Sequence, residues 1–332
     1  MKDYLVDVPV QINIWIRPEC QKKQWDVIRK VRPSILFIQS DGGRNEEEWE
    51  KIRQNREMID RSIDWNCKVY RLYESTNLGM YSMGRKTRSL IWSKVDRCIF
   101  TEDDQVPAVS FFEFCRQLLE KYKDDMRIEC ICGMNYQGVS EQVTSDYFFC
   151  KHGSVWGFAT WKNRFEEREQ GFSYYNDPYV MKLLEHETKP DKGIWKALCR
   201  YAGNPNYEGH MPGDEFWLGF DVFAQERVRI IPKYNMISNI GCGGDSAHSA
   251  EYNYLPRATR QLFNSKLYEM NFPLKHPKYV IADDEYMRKF DYVLGYNHPV
   301  ITFLRKFESR FNRLRYGGIH AFLSFRGHKA EK

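Results

Sequence analysis

No stretch of the chain reaches the roughly 18 consecutive apolar residues that a membrane-crossing helix needs. The opening residues, Met1-Lys2-Asp3-Tyr4, lack the apolar core of a secretory signal, so the expected location is the cytoplasm. Cysteine pairs with the two-residue gap of zinc or redox sites are missing. The nine cysteines are odd in number and scattered through apolar runs, and even Cys130-x-Cys132 has the wrong spacing, which predicts buried free thiols. Neither G-x-G-x-x-G nor G-x-x-x-x-G-K-[S/T] follows any predicted strand, which argues against a dinucleotide fold and a P-loop kinase. Internal repeats and low-complexity segments are also lacking. A basic face is missing from the body of the chain. From Tyr296 onward eight basic residues face two acids, so the net charge of +5 leaves the preceding residues close to neutral. That pattern is unlike a nucleic-acid binder, whose basic residues spread over one face.

What remains is a chain of 332 residues, 42% hydrophobic and 29% charged, long enough for one large α/β domain with a tail. Val10 to Ile16 alternates with apolar residues at even positions and predicts a strand running into Arg17-Pro18. A helix-length segment through Trp25, Val27, Ile28 and Val31 follows. Ser34 to Ile38 is a continuous apolar strand ending in Ser40-Asp41-Gly42-Gly43-Arg44. The charged segment 46–63 reads as an outer crossover helix, and Lys68 to Leu72 as a third strand ending in Asn77-Leu78-Gly79. A helix through Met83, Leu90, Ile91 and Trp92 leads to a fourth strand at 97–101, and a fifth is expected at 128–132. Strand and helix alternating four times predicts a parallel, doubly wound sheet. Ligands of such sheets bind at the carboxyl ends of the strands, so Arg17, Asp41, Asn77 and the acids after the fourth strand are expected in one crevice.

Those acids are Glu102, Asp103 and Asp104, delivered at the end of the apolar run Arg97-Cys98-Ile99-Phe100. Three carboxylates at a buried strand's end call for a cation or a hydrogen-bonding ligand, whereas a solvated turn is the plain alternative. Gln105-Val106-Pro107 stops the strand, and Ser110-x-x-Glu113 has capping-box spacing, predicting a helix start at Ser110. Its residues Phe111, Phe114, Cys115, Leu118 and Tyr122 share one face. After about residue 145 the period loosens. The aromatic and glycine-rich run containing Trp156-Gly157-Phe158-Ala159-Thr160-Trp161 suits either a wall for a flat ligand or ordinary core. Residues 166–210 read as a charged, partly helical insertion. Gly213-Asp214-Glu215 opens another helix, a strand is expected at 228–232, and Asn239-Ile240-Gly241 starts a glycine-rich loop reaching His248.

Taken together in order, several motifs resemble the GT-A family of nucleotide-sugar glycosyltransferases. They are Arg17-Pro18, Ser40-Asp41-Gly42-Gly43-Arg44, Trp65-Asn66-Cys67, Asn77-Leu78-Gly79, Glu102-Asp103-Asp104, Trp156 to Trp161 and Asn239-Ile240-Gly241. More narrowly they are similar to the bacterial hemolysin-like or polysaccharide-biosynthesis subfamily, distantly similar to N-acetylglucosaminyltransferase I. The resemblance runs from about Pro9 to His248. Gly213-Asp214 stands where similar proteins carry Trp-Asp, and Ala247-His248-Ser249 where they carry Thr-His-Thr.

The resemblance implies a GT-A fold in residues 1–255, with a nucleotide-sugar-binding half over 1–135, an acceptor-binding half over 136–255 and a C-terminal extension over 256–332. It implies a metal-dependent, inverting hexosyltransferase-type enzyme. Such an enzyme would move sugar from a nucleoside-diphosphate donor, UDP first among nucleotides, to a glycan or lipid-linked hydroxyl in surface polysaccharide synthesis such as capsule or O-antigen. It implies that Asp104 ligates Mn or Mg, with His248 as second protein ligand, while Asp103 meets the ribose or a metal-bound water and Glu102 faces the donor sugar. Arg17 and Asp41 are expected at base and ribose, and Asn77, Trp156 and Arg85 (or Lys86) elsewhere on the donor. The acceptor hydroxyl needs a general base, for which Asp214 is the choice and Glu215 the second, against the reading that Asp214 only caps its helix. A non-catalytic nucleotide-sugar or glycan binder is the alternative. A sugar nucleotidyltransferase is a further one, although the loop after the first strand, Arg17-Pro18-Glu19-Cys20, lacks the expected glycines and lysine.

In the tail, Val300, Phe303, Leu304, Phe307, Phe311 and Leu314 fall on one helical face, and Arg305, Lys306, Arg310 and Arg313 toward the other. This composition suits either an interfacial helix on an anionic membrane, over about 297–332, or packing on the catalytic domain.

Overall fold

The computed structural model describes residues 1–169, 171–204, 207–242, 252–295 and 298–323. Chain order in the first half is β1 (Val6–Ile14), α1 (Pro18–Val31), β2 (Pro33–Ser40), α2 (Glu46–Ser62), β3 (Lys68–Tyr73), α3 (Met80–Trp92) and β4 (Arg97–Thr101). The short β5 (Gln105–Pro107), α4 (Ser110–Lys121), β6 (Ile128–Cys132), β7 (Tyr147–Cys150), β8 (Phe158–Trp161) and α5 (Lys162–Glu166) follow. The second half holds α6 (Pro178–Glu187), α7 (Lys192–Gly203), α8 (Asp214–Ala224), β9 (Val228–Pro232), β10 (Ile237–Asn239), α9 (Arg257–Arg260), α10 (Asp284–Leu294) and α11 (Pro299–Leu323).

Eight strands form one sheet in the order β3-β2-β1-β4-β8-β6-β9-β7. Strands β3, β2, β1 and β4 are mutually parallel, with Val10 of β1 beside Leu36 of β2 and Ile99 of β4. Helices cover both faces of this half, which is why Pro9 and Gln11 are buried along with Val8, Val10 and Ile12 although the apolar residues alternate. The sheet is therefore the mostly parallel, doubly wound α/β arrangement expected from the sequence, followed by a helical C-terminal tail. It departs from that expectation between β4 and β6. There β8 inserts antiparallel to both, Phe100 facing Phe158 and Ile131 facing Ala159, and β7 closes the edge antiparallel to β9. The aromatic run thus supplies a buried strand: Phe158 and Trp161 sit in the core, and Trp156 is half-buried against Phe263.

Local chemistry sets the element ends. Pro9 cannot donate to a ladder, and the β1–β2 register slips between Val6 and Pro9. Pro33 ends α1: the preceding Arg32 turns left-handed (φ 47°) and its N–H closes on the Ile28 carbonyl. Asn45 caps α2 by accepting from Glu48 N at 2.9 Å. Helix α4 starts at Ser110 as its spacing predicts, but by a different device. Glu113 is held by Arg116, and the carboxylate of Glu269 takes the Val109 and Ser110 N–H groups at 3.0 and 2.7 Å. The orphan donors of a helix start are here satisfied from 160 residues away. The same segment buries Met270 and Leu274 in the sheet's core, and Tyr286 of α10 packs its ring on Tyr136.

Candidate functional site

The site is built where β4 stops. Helix α1 opens at Pro18, a residue preorganised for a first helical turn, and Arg17 before it makes no capping bond with its side chain. Its guanidinium instead crosses to the acids. Arg17 Nε and Nη2 donate to the two oxygens of Asp103 at 2.8 and 2.6 Å, and Nη1 donates to Asp104 Oδ2 at 3.0 Å. Burial alone would loosen the Arg17 proton, but the two carboxylates outweigh it and the guanidinium is held more firmly charged than usual. Burial raises the Asp103 acid above the usual carboxylate range, against the pull of Arg17.

The other oxygen of Asp104, Oδ1, is buried and has no hydrogen-bond partner among the described residues. Against the Oδ2 side of this carboxylate lies the Asn239-Ile240-Gly241 segment, brought there because β10 pairs antiparallel with β5 directly after the acids. Ile240 N donates to the Asp104 carbonyl at 2.8 Å, and Gly241 N to Asn239 Oδ1 at 2.9 Å. A Cβ at Gly241 would stand 2.0 Å from Asp104 Oδ2 and 2.6 Å from Arg17 Nη1, so only glycine lets the loop rest on the carboxylate.

Glu102 is braced by Gln105, whose Nε2 donates to Glu102 Oε2 at 3.1 Å while its Oε1 accepts from Glu102 N and Gly157 N. Gln24 of α1 donates to the Glu102 and Gln105 carbonyls. Crowding by protein, then the charges of Asp104 and Asp103, push the Glu102 acid up to about 7. The residue still opens to water on one side, which screens those charges.

A second charged cluster borders the first. Arg88 of α3 lies 3.8 Å over the ring of Phe100 in β4, its Nη1 reaches Gln11 Oε1 at 3.5 Å, and its Nε donates to Asp214 Oδ2 at 2.7 Å. Arg168 Nη1 reaches Asp214 Oδ1 at 3.4 Å, and the same guanidinium contacts Asp221 at 2.9 Å and Glu129 at 3.4 Å. Gly213 is the N-cap of α8 and makes no side-chain cap, so Asp214 at the first helical position is oriented by two guanidiniums and is not the helix cap.

The remaining expected residues are placed as follows. Asp41 accepts from the backbone N–H groups of Gly42, Leu78 and Gly79 at 2.9, 2.8 and 2.9 Å, tying the end of β2 to the start of α3. Asn77 donates to the Gly42 carbonyl at 2.8 Å in the same loop. Arg85 is exposed on α3, Lys86 pairs with Glu74 at 2.5 Å, and Glu215 is exposed beside Asp214. His248 lies outside the described residues. An open cleft of about 470 Å³ between the 136–142 loop and helices α9 and α10 is lined by none of the acids.

Sequence reasoning missed Arg88, Arg168, Gln24 and Gln105. The signal for Arg88 was its register: it stands next to buried Thr87 and one turn before buried Ile91. The signal for Arg168 was Glu129, a fully buried acid inside an apolar strand that had to find a cation.

Among the described residues no group of three or more His, Cys, Asp and Glu side chains surrounds a common point. The donor set is a single buried, unpartnered carboxylate oxygen, which suits a hard cation whose shell is completed by phosphate oxygens and water.

No family model matches the sequence, and no curated protein is similar to it in sequence. Solved structures of similar shape include the following three. A mannosyltransferase from Pyrobaculum calidifontis, in complex with GDP-mannose and Mn2+, has a TM-score of 0.36 and 10% identity over 68% of this chain and 76% of its own. A UDP-glucose pyrophosphorylase complexed with UDP-glucose has a TM-score of 0.36 and 8% identity over 69% and 91%. A mannose-1-phosphate geranyltransferase from Thermus thermophilus has a TM-score of 0.27 and 11% identity over 72% and 76%.

Proposed function

We propose that the protein is an inverting glycosyltransferase, dependent on Mn or Mg, which moves a sugar from a nucleoside-diphosphate donor to a hydroxyl of a glycan or lipid-linked acceptor. The observation that carries this reading is the unpartnered, buried Asp104 Oδ1 at the carboxyl end of β4, on a carboxylate whose other oxygen, Oδ2, is taken by Arg17 and closed over by the Gly241 backbone. When bound there, a divalent cation would supply Lewis-acid stabilisation of the departing diphosphate. Arg17 holds Asp103 and Asp104 in register and takes up Asp104 Oδ2, leaving Oδ1 outside the pair. Glu102, braced by Gln105 and open to water, faces the sugar. Asp41 and Asn77 shape the loop around the nucleotide, with UDP the first nucleotide to test, and Arg85 stands free on the surface of α3 to meet its phosphates. Asp214, oriented by Arg88 and Arg168, accepts the proton of the acceptor hydroxyl, with Glu215 as second choice. A single displacement inverts the anomeric configuration. We further assign residues 1–255 to catalysis and 256–332 to an extension.

The test is incubation with UDP-, GDP- and dTDP-sugars and Mn, reading released nucleoside diphosphate. Release of the diphosphate with an inverted glycosyl product supports the assignment. Pyrophosphate from a nucleoside triphosphate and a sugar phosphate would make the protein a nucleotidyltransferase, and tight binding without turnover a binding module.

A further inference from the structure

We propose that α11 docks the protein on an anionic phospholipid surface. The helix is built inside out. Val300, Phe303, Leu304, Phe307, Phe311 and Leu314 recur at three- and four-residue spacing within one arc of about 100°. All six are solvent-exposed, Phe303 at 68% and Phe307 at 64%. The face that meets the protein, on the opposite side of the helix, is the polar one. Asn312 is buried and donates to the Leu255 carbonyl at 3.0 Å, Glu308 accepts from Arg257 N at 2.8 Å, and Arg313 lies 5.0 Å over the Tyr254 ring. Gly317 packs so tightly on Tyr254 that a Cβ would stand 2.2 Å from its hydroxyl. Specific polar contacts therefore fix the orientation, and they fix it with the phenylalanines outward. The sequence left two uses open for this helix; its packing onto the body goes through the polar face and leaves the apolar stripe free.

A water-soluble surface does not ordinarily leave so long an apolar stripe open, so something covers it. Charge selects the occupant. Exposed Lys306 and Arg310 run along one edge of the stripe and Arg315 along the other, so basic side chains bracket it on both sides. Lipid acyl chains beneath anionic headgroups match that cross-section, the phenylalanines entering the acyl boundary and the basic residues meeting phosphates. A second copy matches it poorly, because a two-fold interface sets the same patch against itself and would place basic edge against basic edge. The helix does not cross the bilayer: no helix among the described residues is long and apolar enough to do so. This inference is independent of the glycosyl-transfer assignment, since it is read from vesicle binding alone.

The experiment is flotation of the full chain with phosphatidylcholine vesicles with and without about one-third phosphatidylglycerol, at low and high salt. The chain should float with the anionic vesicles, at least about tenfold more weakly with neutral ones, and less at high salt. Phe303→Ser/Phe307→Ser/Phe311→Ser should lower binding at least about tenfold with an unchanged circular dichroism spectrum and melting temperature, because these side chains face solvent. Lys306→Gln/Arg310→Gln/Arg315→Gln should remove the preference for the anionic lipid. The proposal is overturned if the wild type does not float or if the phenylalanine variant floats like the wild type. It is equally overturned if sedimentation shows a vesicle-free dimer that the phenylalanine substitutions dissolve.

Discussion

Gly241 lies against Asp104 with no room for a methyl group: a Cβ there would be 2.0 Å from Asp104 Oδ2 and 2.5 Å from Asp104 Cβ. The backbone after β10 and the acid after β4 are therefore one unit, although they are far apart in sequence. Gly241→Ala should displace Asp104 or the loop and weaken Mn-dependent nucleotide binding by at least about tenfold, about 1.4 kcal/mol. The core is untouched, so the far-ultraviolet spectrum should not change. Calorimetric titration with nucleoside diphosphate and Mn checks this; unaltered affinity would separate the loop from the site.

Arg17 is the countercharge of two buried carboxylates, its side chain 16% exposed against 6% and 11% for theirs. Arg17→Met leaves them facing each other and should cost about 3 kcal/mol near neutral pH. Without the guanidinium, Asp103, whose acid burial already raises, holds its proton to higher pH in the folded state than in the unfolded one. The loss should therefore shrink as pH falls toward 5, and Mn should also restore part of it. Denaturant melts at pH 8 and pH 5 measure it; an equal loss at both would contradict this role.

His152, just after β7, joins Asp191 at the N-cap of α7 to Asp291 within α10, with Nε2 3.3 Å from Asp191 and Nδ1 3.0 Å from Asp291. Burial pulls its pKa down, but the carboxylates of Asp191 and Asp291 outweigh burial and leave it above the usual 6.5. A raised folded value means stability present below pH 6.5 and lost as pH rises through the raised value. The stability gap between wild type and His152→Gln should therefore be widest near pH 6 and narrow toward pH 8.5, as followed by thermal melts. A gap that widens with pH would reverse the assignment.

Asp214→Asn keeps the size of a side chain held between Arg88 and Arg168. Affinity for nucleoside diphosphate with Mn should stay, while turnover falls at least about a hundredfold. Turnover close to wild type would move the base to Glu215 or elsewhere.

The first half of the sheet was legible because β2 and β4 read as nearly unbroken apolar runs, and β1 as an alternating one, between helix-length segments. Strand β8 was not: four residues of mixed aromatic and small character, flanked by Gly157 and Lys162, have no period to read, and their place between β4 and β6 is set by tertiary pairing. The helix start at Ser110 was legible, its mechanism was not, since Glu269 supplies the cap from a distant segment. In the site, Glu102, Asp103 and Asp104 stood out as charges where an apolar strand should continue. Arg88 did not, because its partner Asp214 is 126 residues away and its register beside buried Thr87 and Ile91 names no partner.

The measurement closest to the central claim is a thermal-shift titration of the intact protein with UDP, GDP, dTDP and CMP, each with and without Mn. If Asp104 would hold a cation that the donor's diphosphate needs, one of the diphosphates should stabilise the protein only when Mn is present, and Asp104→Asn should abolish that stabilisation. Stabilisation that ignores Mn, or none by any nucleotide from a folded sample, would contradict it.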